Sequence, residues 1–235
     1  VSLAFTRSQR APQVQELFFE GLHDATRTFQ RGNSGLALET SHNLDLGYTL
    51  TSNLVTAQVN LFHNWINDYI FLQRTGAIVS GSPEQIFQQA NATFMGYEAK
   101  LIFPVLGNNL GTVDLTLFSD FTRAKLTDGT DVPQTPPLRF GFQVDHAIGN
   151  LNSNFRLTRA QAQNNPGPNE ADTPAYLLLN LNSHYHIDNV KGADVLVYAK
   201  GNNLLNQNIR NSASFLRNFA PEPGVGAELG IRINY

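Results

Sequence analysis

The segment Val225-Gly-Ala-Glu-Leu-Gly-Ile-Arg-Ile-Asn-Tyr235 alternates apolar and polar residues up to its last position. Val225, Ala227, Leu229, Ile231, Ile233 and Tyr235 fall on one side, and Gly226, Glu228, Gly230, Arg232 and Asn234 on the other. A period of two marks a β-strand, because successive side chains of a strand point to opposite faces. One face of this strand is apolar and the other is wet. The spacing polar-x-Gly-x-x-apolar-x-aromatic (Glu228, Gly230, Ile233, Tyr235) suits the closing strand of an outer-membrane barrel, whose terminal ring sits in an interfacial girdle.

The same alternation recurs upstream. Leu38, His42, Leu44, Leu46, Tyr48 and Leu50 oppose Glu39, Ser41, Asn43, Asp45 and Thr49. Val55, Ala57, Val59, Leu61, Trp65, Tyr69 and Phe71 oppose Thr56, Gln58, Asn60, Asn64 and Asp68. Comparable runs around Met95–Phe103, Val113–Phe121, Leu138–Ile148, Leu151–Leu157, Ala175–Ile187 and Asp194–Leu205, with Val1–Arg7, predict about ten strands in all. Short connections near Leu50–Leu54, Leu106–Gly111, Ile148–Leu151 and Asp188–Ala193 alternate with long ones near Ala11–Ala37, Gln73–Asn91, Lys125–Pro136, Asn164–Thr173 and Asn206–Pro223. Tight turns on one side and long loops on the other describe an antiparallel up-and-down transmembrane β-barrel, all-β, with its loops outside. A soluble sandwich does not segregate loop lengths so regularly.

Composition agrees. Charged residues are 15% of the 235 and the net charge is −3, so no basic footprint for nucleic acid exists. Cysteine is absent, which removes disulfides and thiolate metal sites. A mean hydropathy of −0.24 suits a barrel, where half of every strand faces water. No Gly-rich phosphate loop or Gly-x-Ser-x-Gly elbow is present.

Within this frame a family becomes recognisable. Arg10-Ala-Pro-Gln-Val-Gln-Glu-Leu-Phe18 resembles the "R-A-P-x-x-x-E-L-[aromatic]" run that follows a strand in TonB-dependent receptors. Leu38-Glu-Thr40 with Asn43-Leu-Asp-Leu-Gly47, Asn67-Asp-Tyr-Ile70, Asn91-Ala-x-x-x-Gly-Tyr-Glu98, Lys200-Gly-Asn-Asn-Leu-Leu-Asn206 and Pro221-Glu-Pro-Gly224 continue the resemblance in family order. Such receptors close a 22-stranded barrel around an N-terminal plug. The resemblance therefore implies that residues 1–235 are the C-terminal portion of the barrel, without plug or earlier strands. It also implies a bacterial outer-membrane location and active import of a scarce nutrient, with no enzymatic reaction and no required cofactor. The partners implied are membrane lipid, the TonB energy-coupling complex acting through the absent plug, the barrel assembly machinery at the C-terminal strand, and a small ligand or metal ion.

One subfamily is closer. Glu16-Leu-Phe-Phe-Glu-Gly-Leu-His-Asp-Ala-Thr26 is similar to the "E-L-Y-x-x-G-x-H-x-A-T" loop of zinc-uptake receptors, and Ser214-Phe-Leu-Arg-Asn-Phe-Ala-Pro-Glu-Pro-Gly224 to their final loop. Several of those relatives carry a second histidine where this chain has Glu20, and an arginine where it has Val225. The resemblance makes zinc the transported ligand, and His23, Glu20 and Asp24 the candidate metal residues. Imidazole and carboxylate both serve zinc, which takes about four ligands in all. The plain alternative is a solvated loop histidine beside ordinary surface acids.

Other groups are read as wall. His184 and His186 share the polar face of one strand near the periplasmic end, where they line the lumen or grip a metal. Glu39, Asp45, Glu98, Lys100, Asp114, Asp145, Arg139 and Arg156 are expected to face the lumen, and Trp65, Tyr69, Phe71, Tyr97, Phe103 and Tyr185 to form interfacial girdles. Asp128-Gly-Thr-Asp131 lacks most ligands of a calcium loop and reads as a loop tip. The rival functions are a siderophore or haem receptor of the same fold, an outer-membrane barrel enzyme such as a protease or lipase, and a passive porin.

Overall fold

A computed structural model describes residues 1–109, 111–190 and 192–234. In chain order the elements are β1 (Ser2–Arg10), α1 (Val14–Phe18), β2 (Glu20–His23), β3 (Thr28–Arg31), β4 (Glu39–Thr51), β5 (Thr56–Val79), β6 (Ser82–Asn108), β7 (Gly111–Leu126), β8 (Arg139–Ile148), β9 (Leu151–Ala160), β10 (Tyr176–Val190), β11 (Ala193–Asn202) and β12 (Gly226–Asn234). Ten of these strands lie side by side as β1-β4-β5-β6-β7-β8-β9-β10-β11-β12, each antiparallel to its neighbours. This is the up-and-down meander that the alternation predicts, a ten-stranded arc of a transmembrane barrel. Leu110 and Lys191, which the sequence reading assigns to short connections, and Tyr235, which it assigns to a girdle, lie outside the described residues.

Register carries the alternation from strand to strand. Leu46, Leu61, Tyr97 and Phe121 stand directly opposite one another across four strands, as do Leu117, Phe142, Leu157 and Leu179. These rows form the outward apolar face. The polar rows lie inward: Asn60, Glu98, Asp120 and Arg139 form one. A one-residue slip would exchange the faces, so burial of one face fixes register throughout.

Two departures from the sequence expectation have local causes. The stretch Gln73–Asn91, expected as a long connection, is a hairpin: β5 has 24 residues and β6 has 27. At about 3.3 Å per residue β5 is about 80 Å long, against a hydrocarbon core of about 30 Å, so its outer part stands beyond the membrane. Ser80 and Gly81 close the hairpin with φ of 51° and 79°, the left-handed pair that a two-residue turn requires. Tyr69 and Phe71, expected in a girdle with Trp65, turn inward instead. Pairing jumps from Ile66 to Tyr69 against Ala92 and Ala90, and the bulge at Asn67 and Asp68 moves later side chains to the other face. Asp68 sits at φ 57° and donates its backbone N–H to Asn91 Oδ1 at 3.0 Å.

Beyond the bulge Phe71 joins Ala92, Ala124, Leu126 and Val132 in a small hydrophobic cluster at the outer end, with Tyr69 and Phe94 against it. The long segment between β1 and β4 holds α1 and the β2–β3 hairpin, and β3 pairs in parallel with the projecting part of β6.

Candidate functional site

The lumen wall is charged where the strands cross the membrane. A cavity of about 480 Å³ is lined by Gln58, Glu98, Lys100, Phe118, Arg139 and Arg156 among others. Arg139 Nε donates to Asp120 Oδ2 at 2.9 Å, and Arg156 Nη1 to Gln143 Oε1 at 2.9 Å. The Arg156 guanidinium also lies 3.8 Å from the centre of the Phe118 ring, a close cation–π contact. Phe118 leans across the strand pair onto Gly141, and a Cβ there would meet its Cζ at 2.8 Å. Phe62 covers Gly96 and Tyr198 covers Gly230 in the same way. In each case the glycine leaves room for a ring on a wall that is otherwise polar.

Above the wall, five outer segments make up one cap. Arg217 and Glu170 form an ion pair at 3.3 Å between side chains only 3% and 5% exposed. Glu170 Oε2 also accepts the N–H groups of Gln134 and Gly167, each at 3.1 Å. Arg217 Nη1 donates to the Ser212 carbonyl at 2.6 Å, and Ser212 Oγ and Gln163 Nε2 both donate to the Thr135 carbonyl. Asn169 Nδ2 reaches the Arg74 carbonyl on the β5–β6 hairpin at 2.9 Å. Burial lowers the Arg74 pKa from its ordinary value; Glu170 works against that shift and Arg217 with it. Arg10 anchors the start of the cap, bonded to Glu16 of α1 at 2.9 Å and to Glu39 at 3.2 Å. Glu39 Oε2 in turn accepts Ile70 N–H, which steadies the strand just past the bulge.

Residues 1–204 match the family model described as "TonB dependent receptor-like, beta-barrel". The chain belongs to the TonB-dependent receptor family. Among solved structures, one entitled copper transporter OprC superposes with a TM-score of 0.77 at 17% identity, over 97% of this chain and 36% of that one. The ferric enterobactin receptor PfeA of Pseudomonas aeruginosa gives a TM-score of 0.68 at 16% identity, over 99% of this chain and 38% of its own. The FrpB iron transporter of Neisseria meningitidis gives 0.65 at 14% identity, over 97% and 36%. These identities speak for the fold. The chain spans little more than a third of the length of the structures it matches. Receptors of this family are transport proteins of the Gram-negative outer membrane and not enzymes, which sets the protease and lipase readings aside.

In this receptor chain the residues singled out for metal occupy the β2–β3 hairpin. His23 Nδ1 is 3.0 Å from Thr26 Oγ1, in a small network with Thr28 and Gln30, and Phe19 meets the imidazole edge-on at 6.2 Å. A metal would therefore approach Nε2. Glu20 lies on the opposite face of the hairpin, beside Arg31 at 3.7 Å, because residues three apart on a strand point apart. Asp24 begins the turn and borders a separate cavity of about 410 Å³ with Leu22, Arg27 and Phe219. Among the described residues no three His, Asp or Glu side chains converge on a single metal position. The lumen-facing acids and bases stand as the alternation places them. Sequence reasoning missed the inward rings of Phe62, Phe118 and Tyr198 and the Glu170–Arg217 lock. A signal for the rings was available: each interrupts a polar series opposite a strand glycine.

Proposed function

We propose that this chain is the C-terminal barrel portion of an outer-membrane receptor that actively imports a scarce metal nutrient, with zinc as cargo. Support comes chiefly from the layered geometry: an interlocked polar cap stands over a charged, ring-lined lumen, an arrangement that captures a ligand outside and passes it inward. His23 is the histidine carried by the cap, and it offers Nε2 to the metal. Asp24 follows as a carboxylate at the neighbouring cavity. Glu20, beside Arg31, enters the ligand set only if the hairpin twists. On this reading the outward apolar rows meet lipid, β12 serves barrel assembly, and the TonB complex acts through a plug outside this chain.

Elemental analysis of the full-length receptor, stripped with chelator and reloaded with zinc, tests the proposal beside His23→Ala. Near-stoichiometric zinc that falls in the variant supports it. Zinc absent from both sinks the zinc reading. A second reading, an iron–siderophore cargo, draws on the Lys100, Arg139 and Arg156 side chains around the 480 Å³ cavity, which suit an anionic chelate. Retention of a ferric catecholate by the zinc-free receptor, weakened in Arg156→Ala, would favour that reading.

A further inference from the structure

Far from the cap, β10 carries His184 and His186 on its inward face, past mid-strand toward the periplasmic turn. The alternation is strict there: Tyr185 and Ile187 point outward between and after them, and Tyr185 stands level with Val197 and Ile231 in the apolar row. The two imidazoles meet edge-to-face at 83°, their centres 5.5 Å apart. A metal held at about 2.0–2.1 Å by one nitrogen of each ring sets the ring centres about 4.5–5.5 Å apart. The pair is thus already spaced for chelation. Among the described residues neither ring has a side-chain hydrogen-bond partner to hold its nitrogens in another role.

The surroundings carry both signs of charge. His184 borders a cavity of about 370 Å³ that also contains Asp114 and Asp145. Those two aspartates stand directly opposite each other on β7 and β8, a like-charge pairing that a nearby positive ion relieves. Asp145 accepts hydrogen bonds from Gln143 and Asn154 and stays fixed at the cavity wall. Both rings also line a second cavity, of about 270 Å³, together with Lys200 and Arg232; Lys200 is engaged with Glu228 at 3.7 Å, and Arg232 stands level with His186 two strands away.

We infer that His184 and His186 form a second metal site, a two-nitrogen station on the lumen wall for a late first-row divalent ion, with water completing its shell. Imidazole pairs select this class of ion, and Cu(II) binds such ligands tightest, which makes it the sensitive probe. The site's purpose, receiving metal on its way inward, rests on the metal-import reading. Its existence does not.

The test is electron paramagnetic resonance of Cu(II) added to the full-length receptor in detergent. The parent protein and His23→Ala should both show hyperfine splitting from two nitrogens. His184→Gln with His186→Gln should abolish that signal, and His186→Gln alone, at the more exposed ring, should weaken Cu(II) binding at least tenfold. Heat-modifiable migration on gels verifies that each variant is folded, and the single variant decides the matter if the double one is not. Absence of a two-nitrogen signal in the parent, or an unchanged signal in the folded variants, overturns the site. If zinc loading at His23 fails while the two-nitrogen signal persists, the cargo reading falls and the site stands.

Discussion

The wall and the cap of this receptor achieve order by opposite means. The wall leaves its large apolar side chains on the surface: Leu46, Leu61, Leu117, Leu181 and Ile231 are all exposed. That surface is the apolar band a transmembrane barrel turns to its bilayer. The cap buries polar groups instead, among them Thr28, Gln30, Gln163, Thr173, Asn203 and Arg217. Buried polar groups are tolerable only when hydrogen-bonded, and the cap's carbonyls and carboxylates are shared among segments far apart in sequence. The wall is held by ladder and register, the cap by a polar network. A change in one region should leave the other standing, and the experiments below can break that separation.

The largest effect belongs to Arg217→Ala. Removing one partner of a buried ion pair leaves Glu170 uncompensated, at about 3–5 kcal/mol. Hydrogen exchange should rise across 161–175 and 203–225 while β8, β9 and β10 keep their protection. Equal loss in the wall would show that the two regions unfold as one. Next comes Gly141→Ala, whose new methyl meets the Leu157 carbonyl and the Phe118 ring. Overpacking of this kind costs about 1–3 kcal/mol, read as a lower heat-modification temperature of the barrel with the cap's protease resistance retained. Arg156→Ala is milder, losing a cation–π contact of about 0.5–2 kcal/mol, and Arg156→Lys should recover part of the loss in the same assay.

The smallest effect is confined to the loop tip. Thr130 donates both its hydroxyl and its N–H to the Asp128 carboxylate, which holds that pKa below its usual value. A depressed carboxylate contributes above its ordinary range and loses its contribution as pH falls through the depressed value. The Thr130 amide should therefore lose protection only at the acid end of a titration, and Asp128→Ala should abolish that pH dependence without shifting the melting of the wall.

This contrast also explains what the sequence disclosed. A period of two survives wherever one face must be apolar, so β4, β8, β9 and β12 and the inward acids and bases are legible directly from residue order. Tyr69 and Phe71 misled because the bulge at Asn67 and Asp68 changes faces without interrupting the pattern. The projecting β5–β6 hairpin was hidden by its polar content, although Ile78-Val79-Ser80-Gly81 has the form of a strand running into a two-residue turn. Glu20 and His23 read as neighbours in a loop and become opposites once Thr28–Arg31 supplies a partner strand. No periodicity announces Glu170 with Arg217, because their meeting depends on how two loops fold over each other.

The three rings laid over Gly96, Gly141 and Gly230 bear on how wide the passage is. A ring upright on the wall would narrow the bore by its whole length; a ring tipped onto a neighbouring glycine narrows it by little more than its thickness. The wall is thereby panelled with aromatic surface, and a plug segment or a cargo moving along it would meet broad, firmly seated planes between the charged side chains, with clearance set by the absence of three Cβ atoms.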